Sequence, residues 1–571
     1  MVSSKRIFRQ TEYFLQEIVR SKIIVQAILV GLISGMLVVG FKVSINSLFL
    51  TIQKFLSAFP TWQKALIFPL ITTLGGLISG ILVYKFAPET KGSGIPYVKM
   101  TMARMGNMTR IRSIVVKFFA GVAGIGTGLS LGREGPSVQL GAGAGALVGR
   151  LFKMSGTNQD KLIAAGAGSA IGATFNAPIA GTIFVLEELV QKFTPALLFP
   201  VLVATVSAAS LARHFLGSNP SFDLPKLQGG ITLENIPVCI ILGLVAGLLG
   251  VLFSKVIFFN NKLFDKMSKI PNYFKPAIAG LAVGLIGLVI PYVLGSGNFS
   301  VDLLLQHKFS LGLVLIIFIA KFFVTPFCFG SGAAGGIFLP MLMLGSFLGY
   351  IVSTVCNSFG FHTDPIVIAI LGMGAFLSAV ARTPITAVVM VFEMTGGYSH
   401  ILPIMLSAAI ADLVAEKLNQ KPIYASLIVQ NSKFGDAKIL SELNVQDYMR
   451  KDVKTFSPTT TILEASKKIA EYKYKVYPVI NESGKILGVV TRYDVEDAIF
   501  QGNPTTMTLN KIMNPSPVVI STNKDLYVAY FRLHTNNIDK LPVIDKRKRL
   551  CGIISREDIH NAIDKQKKEN I

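Results

Sequence analysis

Acidic residues are scarce where the chain is most apolar. Of 32 Asp and Glu, 17 fall in residues 431–571, which leaves 15 for the first 430. A cation path needs converging carboxylates or rings of carbonyls, so this scarcity argues against a divalent-cation transporter. Cysteine is also sparse. Cys239, Cys328, Cys356 and Cys551 are scattered without metal-ligand spacing, and three of them lie in or near apolar segments, where cysteine behaves as a small hydrophobe. The six histidines form no cluster, so no ligand set for a metal stands out. No nucleophile–base pair and no P-loop is present, and classical enzyme chemistry has no support.

What is present is apolar. The chain of 571 residues is 51% hydrophobic and 15% charged, too apolar for one soluble domain. Stretches long enough to span a bilayer, at roughly 20 residues each, recur from about Ile23 to Val414, among them Ile24–Leu50, Val238–Phe258 and Leu311–Phe329. They predict a polytopic membrane protein. The start, Lys5-Arg-Ile-Phe-Arg9, is basic, but Glu12 and Glu17 interrupt it before the apolar run, which does not read as a cleavable signal. The formal net charge is +23, and residues 431–571, with 23 basic and 17 acidic residues, hold only +6 of it. The remaining basic residues lie mostly between apolar runs. That pattern fits loops facing the cytoplasm and a positive field for anions better than it fits a nucleic-acid partner.

The texture changes near Asn419–Asn431, from apolar and Gly-rich to charged with alternating strands and helices. The reading divides the chain into an N-terminal segment (1–21), a transmembrane domain (22–430), a linker (431–444) and two modules (445–502 and 503–571). The modules repeat. Lys475–Ile480 and Gly484–Asp494 read as strand, turn, strand and helix start, and Lys540–Asp545 with Arg549–Asp558 read the same way, each copy preceded by a helix pattern, Ile462–Tyr472 and Asp525–Asn536. The membrane part repeats as well. Gly166, Pro178 and Glu187 match Gly372, Pro384 and Glu393 at an offset of 206, and Gly132, Pro136 and Gly141 match Gly336, Pro340 and Gly345 at 204. Two halves sharing Gly/Pro-interrupted apolar segments mark a transporter-type duplication, with the binding site where broken helices meet.

Three punctuated stretches stand out: Gly92-Ser-Gly-Ile-Pro96, Gly132-Arg-Glu-Gly-Pro136 and Gly336-Ile-Phe-Leu-Pro340. Proline suits the first turn of a helix, so each predicts a loop feeding a helix N-terminus. Such an end offers free N–H groups and partial positive charge to an anion. Non-helical backbone at membrane depth is tolerable where it is buried or lines a wet cavity. Converging helix starts would hold a small anion without the grip of a full positive charge, so that it can leave.

These three motifs and Lys421-Pro-Ile-Tyr424, in this order, resemble the four signature segments of the CLC chloride channel and transporter family over about residues 20–430. The repeat at about 445–565 resembles a tandem pair of cystathionine-β-synthase-type (CBS) domains. The resemblance implies a polytopic α-helical fold with two inverted repeats and broken helices, plus a cytoplasmic α/β CBS pair. It implies an anion site in which Ser93 and Tyr424 donate hydroxyls and Ile337 and Phe338 donate backbone N–H groups. Ser93 points to chloride, because the family's nitrate-preferring members resemble this motif with proline there. Glu134 is implied as the gating glutamate, a tethered carboxylate that competes with the anion when ionised and swings away when protonated. Burial favours its neutral form, whereas helix N-termini and Arg133 favour the carboxylate. In Phe184-Val-Leu-Glu-Glu188, Glu188 matches the acid that feeds protons to the gate in proton-coupled members; channel members resemble this segment with an apolar residue there. Intramembrane carboxylates are functional by default. Glu187, whose repeat mate is Glu393, is expected to be structural.

One departure concerns the run after the first motif, Tyr97-Val-Lys-Met-Thr-Met-Ala-Arg104. Better-studied bacterial transporters resemble it with several acids, so Lys99 and Arg104 put acid pairing along that helix in doubt. Lys117 matches a basic residue below the gate in relatives. In the CBS pair, Asp494 and Asp558 match a ribose-holding position and Thr491 and Ser555 a phosphate-facing one, which implies ATP or another adenine nucleotide as a ligand; no other cofactor is expected. The function expected is chloride exchanged for protons by a homodimer in the bilayer with both termini cytoplasmic; the alternative is a passive voltage- or nucleotide-regulated chloride channel. A nucleotide-sensing regulator is the reading from another class.

Overall fold

The computed structural model describes the backbone of residues 2–569 other than 104–107, 109–110, 155, 223–234, 307, 397–399, 431–434, 473, 503–505 and 537, and side chains from residue 22 onward, without those of 429–430, 435–438, 535 and 567–569. Arg104 therefore lies outside the described residues. The chain forms two compact units, residues 1–426 and 427–571.

The described residues of the first unit form helices and the loops between them. Its first half runs α1 (Val2–Ser57), α2 (Thr61–Ile81), α3 (Ile95–Met102), α4 (Ile111–Thr127), α5 (Glu134–Leu151), α6 (Gly156–Phe175), α7 (Pro178–Phe184) and α8 (Pro195–Leu216). The second half follows the same plan with α9 (Ile236–Lys266), α10 (Lys275–Val289), α11 (Asn298–Leu305), α12 (Leu311–Gly330), α13 (Phe338–Ser358), α14 (Pro365–Ala381), α15 (Pro384–Thr395) and α16 (Ile401–Lys417), and α17 (Ile423–Gln430) comes after it. Among the described residues, six segments, 22–57, 61–86, 195–216, 236–266, 311–330 and 338–358, are long and apolar enough to cross a membrane.

The two halves are built alike in detail. Gly94 and Gly297 precede α3 and α11, each with a φ near +95° that only glycine adopts without strain (92° and 99°), and each starts a helix of eight residues. In the first half a Cβ on Gly141 would lie 2.1 Å from the Gly166 carbonyl oxygen; in the second, a Cβ on Gly345 would lie 2.2 Å from that of Gly372. The α5/α6 and α13/α14 pairs thus approach backbone to backbone, the contact small residues permit between membrane helices. Where the halves meet, Gly132 and Gly336 exchange backbone hydrogen bonds (2.7 and 2.6 Å) as an antiparallel bridge. Their chains run in opposite directions there, as inverted repeats require.

The second unit holds the two small modules. After α18 (Gly435–Glu442) and α19 (Val445–Tyr448), the first module contains α20 (Ile462–Tyr472), β1 (Val476–Ile480), β2 (Ile486–Thr491) and α21 (Arg492–Phe500). The second contains β3 (Ile520–Ser521), α22 (Leu526–Thr535), β4 (Lys540–Ile544), β5 (Leu550–Ser555) and α23 (Arg556–Glu569). β1 pairs antiparallel with β2, and the second sheet has the order β3-β4-β5, with β3 parallel to β4. The parallel Phe456–Val479 bridge stands where β3–β4 stands in the other copy. Helix and strand patterns read from the sequence match these elements to within a residue or two. Phe456, Ile462, Tyr477, Val479 and Val490 form the buried core of the first module.

Candidate functional site

All three Gly/Pro stretches are loops that end in helix starts, and backbone hydrogen bonds tie them together. Besides the Gly132–Gly336 bridge, Gly92 N–H donates to the Ala333 carbonyl (3.2 Å) and the Gly92 carbonyl accepts from Gly335 N–H (3.1 Å). A Cβ on Gly135 would lie 2.2 Å from Ser93 Oγ. The glycines of one motif are therefore the surface on which the next motif rests.

Glu134 is the first residue of α5 and fully buried. Its side chain folds back over Gly132, where a Cβ would lie 2.2 Å from Oε2. That same oxygen accepts a hydrogen bond from Leu339 N–H at 3.3 Å. Leu339 is the second residue of α13, so the carboxylate sits on that helix's N-terminus, where unsatisfied N–H groups and the helix dipole favour negative charge. Ile337 is the N-cap and Phe338 the first residue; Phe338 packs against Phe175 and Phe184 at centroid separations of 5.7 and 6.0 Å. Leu339 was not among the donors expected. Pro340 has no N–H and Gly336 N–H is used by the bridge, so counting free donors before the proline would have included it.

Ser93 and Tyr424 are buried, and their hydroxyls, together with Glu134 Oε1, have no hydrogen-bond partner among the described residues. Buried hydroxyls without partners are rare in a finished fold. Tyr424 lies within electrostatic reach of both Glu188 and Glu134. Arg133, the N-cap of α5, lines a cavity of about 360 Å³ that also carries Lys42, Thr174, Ser296 and Asn298.

Glu187 and Glu188 sit on a π-helical turn, Val185–Leu189. Such turns shift the hydrogen-bond register and are common at functional sites. Here the neighbours point to different partners. Glu187 accepts from Ile385 N–H (3.2 Å), Thr386 N–H (2.7 Å) and Thr386 Oγ1 (2.7 Å). Its repeat mate Glu393 accepts from Ile179 N–H (3.1 Å) and Ala180 N–H (2.6 Å). Each half thus caps the helix start of the other, which gives Glu187 a structural place. Glu188 turns inward, 1% exposed, and its Oε1 meets Lys99 Nζ at 2.7 Å. Lys99 lies on α3, and this pairing has no signature in the sequence.

Lys117 is buried and donates to the carbonyls of Thr90 (2.8 Å) and Gly92 (2.6 Å). Lys321, 204 positions on, donates to Val293 (2.9 Å) and Gly295 (2.8 Å). Both brace a Gly-Ser-Gly loop, Gly92–Gly94 and Gly295–Gly297. Sequence reading noticed neither the second loop nor its lysine, though both follow from extending the repeat.

In the second unit, Thr491 and Ser555 each begin a helix. The Asp494 carboxylate accepts from Thr491 N–H and Oγ1 (both 2.7 Å), and that of Asp558 accepts from Ser555 N–H (2.9 Å) and Oγ (2.6 Å). The copies differ in one respect. Asp558 Oδ1 also accepts from Arg450 Nε at 2.7 Å, which holds the Arg450 guanidinium above its ordinary pKa; no such contact is found at Asp494 among the described residues. No group of His, Cys, Asp and Glu able to hold a metal occurs among the described residues.

Comparison with known proteins agrees with this architecture. The voltage gated chloride channel family matches residues 75–416, and the CBS domain family matches 445–501 and 509–565. The H(+)/Cl(-) exchange transporter ClcA of Vibrio cholerae is 33% identical over 422 residues, 71% of this chain and 89% of that protein. The protein of the same name in Yersinia pseudotuberculosis is 34% identical, over 72% and 87%. The crystal structure of a slow cyanobacterial Cl-/H+ antiporter superposes with a TM-score of 0.67 at 31% identity, over 72% of this chain and 98% of that one. A eukaryotic CLC transporter, at 19% identity and a TM-score of 0.65, shares the fold over 95% of this chain and 98% of its own. The chain is an integral membrane protein of the voltage-gated chloride channel (CLC) family, carrying a C-terminal pair of CBS domains.

Proposed function

We propose that this chain is a secondary active transporter that exchanges chloride for protons. The observation that carries the reading is the Glu134 carboxylate on the N-terminus of α13, the place where a free anion would be held. Ionised, Glu134 occupies the anion path. Protonated, it loses the charge that the helix start favours and leaves the position to chloride. Ser93 and Tyr424, with unpartnered buried hydroxyls, and the backbone N–H groups of Ile337 and Phe338 are the donors we assign to chloride. Hydroxyls and amides hold a halide by partial charge and release it readily. Glu188 is assigned to proton transfer, on a route separate from the anions. The names of the two relatives, both H(+)/Cl(-) exchange transporters, support exchange, and no observation favours a passive channel.

The working unit on this reading is a homodimer in the bilayer with one pathway per subunit and both termini cytoplasmic. Residues 22–430 carry transport; 1–21 is the cytoplasmic lead-in, 431–444 the linker, and 445–502 and 503–571 the two CBS modules. An adenine nucleotide such as ATP fits the Thr491/Asp494 copy better than the Ser555/Asp558 copy, whose carboxylate already takes Arg450.

Purified protein in liposomes tests the exchange. An imposed chloride gradient is expected to drive protons against their own gradient, and Glu134→Gln to abolish that movement while chloride still flows. Chloride flux without uphill protons in the unmodified protein would leave a passive channel. Proton transport that survives Glu134→Gln would remove Glu134 from the gate.

A further inference from the structure

We propose that Lys99 is a positioning residue for proton transfer: it holds the Glu188 carboxylate ionised and facing inward, and so sets how acidic the medium must be before protons enter the cycle. The inference rests on the exchange reading above.

Lys99 Nζ and Glu188 Oε1 are 2.7 Å apart, with the two side chains 2% and 1% exposed. Neither charge is tolerated alone at that depth, and each is retained because the other compensates it. Among the described residues, the other ionisable groups acting on Glu188 are Glu187 and Tyr424. Glu187 sits on the same π-turn, but its carboxylate is committed to the start of α15 through Ile385 and Thr386. Tyr424, on α17, is a neutral phenol below its ordinary ionisation range. Among the described residues Lys99 is therefore the cation that acts on this acid, and it comes from a different element, α3, whose start follows Ser93.

The repeat sharpens the point. At the offset of 203 that relates α3 to α11, Lys99 stands opposite Asp302, and at 206 Glu188 stands opposite Met394. The pair is absent from the second half, and so is the π-turn: residues 391–395, the counterpart of Val185–Leu189, continue α15 as regular helix. Pair and π-turn thus occur together, in the half that carries Glu134.

The charge balance gives the sign. With Lys99 present, taking up a proton at Glu188 breaks a buried ion pair and needs a higher proton concentration than the same buried carboxyl would need without the cation. With a neutral residue at 99, the carboxylate is left buried without a cation, and it takes a proton in less acid medium.

The test is chloride-driven proton uptake by the full-length protein in liposomes, recorded against pH. Lys99→Met is expected to move the acid activation of proton uptake upward by about one pH unit or more, a tenfold or greater change in proton affinity. Lys99→Arg, which keeps the cation, is expected to restore the original profile. In a Glu188→Gln background, adding Lys99→Met is expected to leave the pH profile of chloride flux where it was. An unmoved proton profile in active Lys99→Met protein overturns the assignment, as does a chloride profile that responds to Lys99→Met equally with and without Glu188. If Lys99→Met does not fold, Lys99→Gln, which keeps a hydrogen-bond donor without the charge, carries the same expectations. Unmodified protein that moves no protons in this assay overturns the exchange reading instead, so the two failures are distinct.

Discussion

The two halves of the membrane unit agree in their scaffold and differ in their charges. Lys117 and Lys321 make the same pair of bonds to equivalent loops. Glu187 and Glu393 cap each other's helices. Gly141/Gly166 and Gly345/Gly372 bring their helices equally close. Where the first half has Glu134, Glu188 and Lys99, the second has Phe338, Met394 and Asp302. Symmetric residues hold the two broken-helix bundles against one another. The asymmetric ones place titratable charge differently in the two halves, and on the exchange reading proposed above that asymmetry couples an anion to a proton.

If symmetry marks scaffold, equivalent substitutions in the two halves must do equal harm. Gly141→Ala and Gly345→Ala each set a methyl about 2 Å from a carbonyl oxygen of the facing helix. Overpacking of this kind costs roughly 1–3 kcal/mol, or more where backbone must move. Both variants are expected to lose stability in detergent to a similar degree, read as a fall in melting temperature and yield of folded protein. Strong loss from one and none from the other would break the equivalence.

The CBS copies sharpen the comparison with a smaller effect. They are related by a constant offset of 64, from Ile462 and Leu526 to Asp494 and Asp558, yet only Asp558 is bonded to Arg450 among the described residues. ATP titrated calorimetrically into the full-length protein is expected to bind, and Asp494→Ala to abolish the signal while Asp558→Ala leaves most of it. Equal loss from both variants would show that the Arg450 contact does not distinguish the copies, and no heat at all would remove the nucleotide.

Much of this was legible before any coordinates. Glycine and proline spacing gave the three helix starts, because backbone needing positive φ or lacking an N–H admits few other residues. The offsets of 204 and 206 gave the duplication and separated Glu187 from Glu188 by their mates. Hydrophobic periodicity gave Ile462–Tyr472 to the residue. The Lys99–Glu188 pair was not legible: 89 positions separate its members, and periodicity describes one element at a time. The π-turn at Val185–Leu189 was hidden for a related reason, since a one-residue change in hydrogen-bond register leaves the apolar pattern unaltered. The Leu339 donor was missed because the family pattern drew attention to the two residues before it.

The central claim is that the charges found in the first half without counterparts in the second, not the duplicated scaffold, couple protons to chloride. Simultaneous recording of chloride and proton flux from Glu188→Gln protein in liposomes, beside the unmodified protein, tests it most directly. The account predicts both fluxes in the unmodified protein, and chloride flux with proton flux at background in the variant. Proton flux in Glu188→Gln at the unmodified ratio to chloride would contradict it.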